Sequence, residues 1–406
     1  MSVSARSGSG ETSYPPCVPP GRLLVLAHQA TYRCRHSGAC CTAGWHIPVE
    51  PDRTNAIRAQ FGEVLNERGS ILRTTPARTC VLFEPARPDR PSHCALQRMC
   101  GHEALPSACR HFPRIFLRDA YATRVTLSHF CPTAASLLFE PSEVKIVEAS
   151  LDLARPDDRE GLDARHALPP LLHPRMLMDV ESYAAWEGAA IDLLASSPEP
   201  ALAIARLANV TERIREWEPP DSLLAIVRSA FQEAAQQTFA HDAIRAGQME
   251  LPSTWRDDFQ VARAAVPSGL SVPDVPESLD DAHTRFVAAT WGTFSDVICR
   301  YLAGRLFGSW VAYQGRGLRS VVASLSCALS VLRVEGIRAA QSAGRVLDAE
   351  LLRTAVRQAD LLIVHKADRQ ALAEELSRVE GRTRCRLTGS CFLGSSSSFF
   401  LLPSSF

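Results

Sequence analysis

Eight of the thirteen cysteines fall between Cys34 and Cys131, at Cys34, Cys40, Cys41, Cys80, Cys94, Cys100, Cys109 and Cys131. Seven of the twelve histidines share that first third: His28, His36, His46, His93, His102, His111 and His129. Thiolate and imidazole bind zinc, and thiolates bind iron–sulfur clusters. The adjacent pair Cys40–Cys41 cannot relax into a disulfide with itself. Consecutive Cα atoms stand about 3.8 Å apart, whereas a disulfide prefers roughly 4.4–6.8 Å. The pair therefore has partners elsewhere, shares a metal or cluster, or is buried as inert thiols. In a reducing compartment, clustered Cys and His favour a metal site over a disulfide framework.

Other chemistry has little support. No Gly-x-Gly-x-x-Gly follows a strand-like run, and "GRG" at 315–317 reads as a turn between helices. Asp52 reads as a helix-start carboxylate, and Trp310 and Tyr313 as helix-packing groups. His93, His111 and His129 lie within two residues of a cysteine, where supporting or surface roles are commoner than ligation. Lys+Arg and Asp+Glu are balanced at 44 each, which argues against a nucleic-acid or membrane-surface partner. Lys145 and Lys366 are the only lysines, a bias best read as codon composition.

The elements that must position these cysteines divide the chain in two. Residues 1–22 are Ser/Gly/Pro-rich without an apolar signal core and read as a disordered tail. Residues 23–140 read as a small, irregular α+β metal-binding domain with short extended pieces at "RLLVLAH" and "WHIPVE". A helix follows Pro51 there, with Ile57, Phe61, Val64 and Leu65 on one face. The Pro-rich stretch from Thr74 to Pro91 has too little apolar periodicity to build a core alone, which suits a metal-held segment. "RPDDREGLDARHALPP" reads as a linker.

Residues 150–380 read as an all-α domain, giving a mainly α chain. Helices are expected at 175–197, 201–217, 222–238, 282–312, 318–342, 349–362 and 367–379, with a long loop over 252–280. Residues 381–406 read as a second disordered tail. The longest apolar run, "VVASLSCALSVL", is shorter than the roughly 18 residues of a membrane span. A cytoplasmic protein is the expectation.

The spacing of the first third resembles the YkgJ-type cysteine-cluster proteins, which chelate zinc or iron, and most closely their flagellin lysine-N-methylase branch. The leading Cys-x2-Cys-Gly-x-Cys-Cys pattern is met by Cys34, Gly38, Cys40 and Cys41, with Ser37 in place of the second cysteine. Trp45 and Ile47 follow, then Cys80 with Leu82 and Cys94 with Leu96. Cys109, Arg110, Phe112, Pro113 and Arg114 reproduce the Cys-Arg-x-Phe-Pro-Arg element. Ser128, Cys131, Pro132, Ala134, Ala135, Leu137 and Leu138 match the methylase branch. Beyond residue 140 the likeness is loose, carried by "DVESYAAWEGAAIDLL" and "RYLAGRLFGSWVAY".

The resemblance implies metal ligands at Cys34, Cys40, Cys41, Cys80, Cys94, Cys109 and Cys131; Cys100 lies outside the pattern. It implies a [4Fe–4S] cluster, with zinc as the alternative, and S-adenosylmethionine as methyl donor. Arg110 and Arg114 would offset cluster charge or bind an anionic group of that cofactor. The partner would be a protein with surface lysines, such as flagellin. The chain lacks the Cys-x3-Cys-x2-Cys triplet of radical S-adenosylmethionine enzymes, and no catalytic residue is indicated. Two other classes stay open: a non-catalytic zinc or iron protein for storage, delivery or sensing, and a structural zinc module whose helical part binds a partner.

Overall fold

The computed structural model describes residues 22–150, 161–236 and 255–381. Both expected tails, apart from Arg22 and Gly381, lie outside the described residues, as do Cys17, Cys385 and Cys391. The chain is mainly helical around a small mixed sheet.

The sheet has five strands in the order β6-β1-β5-β4-β7: β1 (Arg22–Leu26), β4 (Arg114–Arg118), β5 (Ala122–Leu127), β6 (Ile146–Glu148) and β7 (Gly161–Asp163). Two short pairs complete the strands, β2 (Phe83–Glu84) with β3 (His93–Cys94), and β8 (Leu171–His173) with β9 (Met176–Leu177). The central run "LLVL" is buried throughout because both sheet faces are covered. Leu24 and Leu26 join the main core, while Leu23 packs with Phe116 and Val125.

Strands β1 and β5 are parallel neighbours, and β4 runs antiparallel to β5 with Arg114 opposite Leu127. The chain therefore leaves β1, re-enters β4 and leaves β5 at the same end of the sheet. Everything between Leu26 and Arg114 is a lobe hung on that end. It has its own core of Ile47, Val49, Ile57, Leu65, Leu72, Cys80, Leu82, Leu96 and Leu105.

Several expected boundaries move. The helix after Pro51 is Pro51–Phe61, stopped at Gly62 (φ 71°), so Val64 and Leu65 lie beyond it. Leu65 still reaches the lobe core by bridging Leu72. "WHIPVE" forms only an isolated bridge, Pro48 to Ile71. The expected linker contains β7, which pairs in parallel with β4, so the sheet crosses the anticipated boundary. The main core also runs across it, from Leu24, Ala122 and Ala135 into the helices.

Helices Val180–Ser196, Pro200–Arg215, Leu223–Gln236, Leu318–Ala343, Ala349–Asp360 and Arg369–Leu376 stand close to their expected positions. The expected loop over 252–280 contains a helix, Trp255–Ala264. Its prolines flank it, and Phe259 and Ala262 are buried. The expected 282–312 helix is broken into Leu279–Phe286, Ala288–Trp291, Ser295–Leu306 and Val311–Gln314. Its apolar pattern is continuous, but Gly308 takes φ 65° and its N–H donates to Glu187 Oε1 at 2.9 Å. Helix Leu318–Ala343 is long and apolar enough to cross a membrane, yet 72% of its most apolar window is buried inside the fold.

Sheet and helices are joined by buried charge. Arg124 on β5 donates to Asp119 Oδ2 and to Glu187 Oε2, both at 2.6 Å, with all three side chains essentially inaccessible. The Tyr313 hydroxyl donates to the same Asp119 oxygen at 2.6 Å, a packing role as expected for that residue.

Candidate metal centre

At the end of β1 and of β5, and just before β4, three segments converge: Tyr32–Cys34, Cys109–Arg114 and Cys131. The lobe supplies the rest. Its tight turn Ala39–Thr42 carries Cys40 and Cys41 and starts from Gly38 at φ 73°. A Cβ on Gly38 would lie 2.3 Å from Phe83 Cε2, so glycine is required both for backbone conformation and for space. Phe83 sits opposite Cys94 in the β2–β3 pair, and Cys80 N–H donates to Cys41 O at 2.8 Å. These contacts bring three motif segments, distant in sequence, into one body. Cys109 lies on the short helix Ser107–His111, whose first N–H donates to Glu50 Oε1 at 2.8 Å.

The result is a cleft of about 350 Å³. Cys34, Cys40, Cys41, Cys94, Cys109 and Cys131 line it, six of the seven expected ligands. Cys80 does not line it; that side chain is buried in the lobe core. Ser37, the residue in the place of a motif cysteine, also faces the cleft. Cys100 is exposed and absent from the lining, while Cys299 and Cys327 are buried in the helical body, with Sγ donating to Ser197 O and Asp258 O. His93 and His102 line the rim with His36; His111 and His129 are buried away from it. Arg33, Arg110 and Arg114 line the cleft, and no Asp or Glu does among the described residues. Arg110 pairs with Glu103 at 3.6 Å, and Arg114 lies over the Tyr32 ring at 5.4 Å.

The thiols are electrostatically linked. Cys40 and Cys41 sulfurs are 3.9 Å apart. Interaction with the Cys41 sulfur lowers Cys40 and holds Cys94 down to about 6, while Cys41 is pushed far up by its two neighbouring thiols and by burial. Burial raises Cys109, and burial brings Cys80 to about 11; neighbouring cysteine charge adds to both shifts. Burial likewise raises Cys34. The Tyr32 hydroxyl contacts Cys131 Sγ at 3.6 Å, and burial followed by that contact raises Tyr32. Ionisation of the remaining thiols is opposed by burial and mutual repulsion. A bound cation removes that opposition, because coordination deprotonates a thiol outright.

The donor set fits a thiolate-held group. A single tetrahedral ion with metal–sulfur bonds of about 2.3 Å needs its sulfurs about 3.8 Å apart, a spacing that Cys40 and Cys41 meet. Yet among the described residues no three His, Cys, Asp or Glu side chains are arranged to hold one ion as they stand.

Sequence reasoning missed the surroundings on the helical side. Trp45 packs against Phe112, Phe130 and His365, with ring centroids 5.4, 5.2 and 4.7 Å away. His365 lies on the π-helical turn Leu361–Lys366, and its Nε2 is 2.6 Å from Ser128 Oγ. Burial lowers His365 to about 4, which leaves its ring neutral. Its distance from the cysteines in sequence left no local signal. No protein-family model matches this chain, no curated protein matches it, and no solved structure matches its fold.

Proposed function

We propose that this chain holds an iron–sulfur cluster through cysteine thiolates, and that it is a protein-lysine N-methylase using S-adenosylmethionine. The observation that carries the metal reading is the convergence of Cys34, Cys40, Cys41, Cys94, Cys109 and Cys131 on one cleft. Cleft size and the number of sulfurs favour a [4Fe–4S] cluster over zinc. The methylase reading rests on the motif resemblance at Cys109–Arg114 and Ser128–Leu138, together with a cleft in which three arginines accompany the thiols.

Cys34, Cys40, Cys41, Cys94, Cys109 and Cys131, which line the cleft, are the thiols from which the cluster's ligands would come. A bound cluster would supply a compact charge and a redox-active centre beside the transfer site. In the transfer itself, a neutral lysine amine attacks the sulfonium methyl. The C–N bond forms, the C–S bond breaks, S-adenosylhomocysteine leaves, and the added nitrogen sheds a proton. A free lysine, with pKa about 10.4, has to be desolvated or met by a base first.

Anaerobic purification with iron, sulfide and zinc analysis tests the first half. Cys40→Ser and Cys41→Ser should each lower metal content, whereas Cys100→Ser and Cys327→Ser should not. Equal content in all four variants would overturn the ligand assignment. Mass spectrometry of flagellin and other lysine-bearing proteins, after reaction with a labelled methyl donor, tests the second half. Added masses of about 14, 28 or 42 Da per lysine, one to three methyl groups, are expected. A cluster-loaded protein that binds no S-adenosylmethionine would remove the enzyme reading and leave the metal protein.

A further inference from the structure

Of the six cysteines that line the cleft, Cys131 comes from outside the lobe, at the end of a turn that follows β5. Cys131 N–H donates to Ser128 O, and Phe130 N–H to Ser128 Oγ, both at 3.3 Å, which closes that turn. Ser128 N–H donates to Pro113 O at 2.8 Å, tying the turn to the Cys109–Arg114 segment.

Three side chains of the helical body hold three successive residues of the turn. His365 Nε2 is 2.6 Å from Ser128 Oγ. Asp360 Oδ2 accepts His129 N–H at 2.5 Å and lies 3.2 Å from His129 Nδ1. Arg357 Nε donates to Phe130 O at 3.1 Å. Ser128, His129 and Asp360 are all buried. Five residues apart on an α-helix, Asp360 and His365 would point about 140° apart. The π-helical turn that begins at Leu361 changes that spacing, and both side chains reach the same short segment.

Both oxygens of Asp360 are engaged, because Tyr301 donates to Oδ1 at 3.1 Å and Arg305 Nη1 stands 3.9 Å from it. Burial opposes the charge, but the His129 contacts and Arg305 outweigh it and hold this carboxyl at about 2. The same carboxylate acts electrostatically on His365. On the other side of the turn, Tyr32 Oη lies 3.6 Å from Cys131 Sγ.

Building on the cluster reading, we propose that Asp360, supported by Arg357 and His365, is the positioning residue for Cys131, so that the helical body fixes the place from which this thiol ligates the cluster. A segment that must become ordered on binding weakens it, and a turn held beforehand removes that cost.

The test is a chelator titration of the cluster-loaded full chain, read by cluster absorbance, with each variant made in the parent and in Cys131→Ser protein. Cys131→Ser alone should lower metal retention. Asp360→Ala should lower it about tenfold or more, and Ser128→Ala, a smaller change, by roughly two- to tenfold. Asp360→Asn keeps an oxygen for His129 and can turn its amide toward Tyr301 Oη, so it should hold metal nearly as the parent does. In Cys131→Ser protein the Asp360→Ala and Ser128→Ala losses should shrink to within about twofold, because the turn no longer carries a ligand. A purely structural role would give the same loss in both backgrounds. If Asp360→Ala protein does not fold, the Ser128→Ala pair decides by the same criterion. Undiminished losses in Cys131→Ser protein, or unchanged retention in Cys131→Ser itself, would overturn the positioning role while sparing the cluster reading. A parent protein that holds no cluster would overturn both.

Discussion

Gly38→Ala is the sharpest probe of how the cysteine turn is built. Residue 38 has φ 73°, and holding a non-glycine residue in that region costs roughly 1–2 kcal/mol. The new Cβ would also stand 2.3 Å from Phe83 Cε2 and 2.7 Å from Phe83 Cζ. Forcing that ring aside adds about 1–3 kcal/mol. The two costs together are about 2–5 kcal/mol. If metal binding and lobe folding are one equilibrium, metal retention should fall by roughly 30- to 5,000-fold, at about 1.4 kcal/mol per decade. A chelator titration read by cluster absorbance measures this directly. Phe83→Ala in the same chain removes the clash but not the backbone strain. The double variant should therefore recover about 1–3 kcal/mol relative to additivity. A Gly38→Ala protein with the parent's chelator midpoint, or strictly additive double-variant behaviour, would refute the account of the turn.

Two further outcomes follow from the packing. Arg124→Met strands Asp119 and Glu187 in the interior and should cost about 3–5 kcal/mol, measured by denaturant unfolding. Burial raises the Glu187 carboxyl even with Arg124 present, so above the ordinary glutamate value of about 4.3 the folded state binds more protons than the unfolded. Stability through this group falls as pH rises toward the folded value. Loss of the arginine raises that value further, so the deficit should be larger at pH 8 than at pH 5; a pH-independent deficit would contradict the assignment. Removal of metal should expose the lobe between residues 34 and 112 to protease, because its core is small and separate. Strands β1 and β5 should stay protected by the main core, and cleavage spread evenly over residues 23–140 would show instead that sheet and lobe unfold as one.

The sequence by itself marked out the cysteines of the first third as candidate ligands, by their density in a stretch with little apolar periodicity, and six of the seven candidates line one cleft. Strong apolar periods likewise placed most long helices, since a helix that packs on one face must repeat near 3.6 residues. Of the sheet, only β1 was legible, as the extended piece at "RLLVLAH"; β6 and β7 have three residues each, too few to show an alternation. Helix Trp255–Ala264 was hidden by the prolines around it, and the breaks near Gly308 by an unbroken apolar pattern.

Only the tertiary structure decided how Cys131 joins Cys34 and Cys109. Parallel pairing of β1 with β5, and antiparallel pairing of β4, bring three chain segments to one end of the sheet, and spacing along a chain carries no information about that register. The same holds for His365, which meets Trp45 because the helical body packs against the lobe. Ligand chemistry is a property of residue type and so is written locally; the cavity around it depends on contacts between distant segments, which no local pattern encodes.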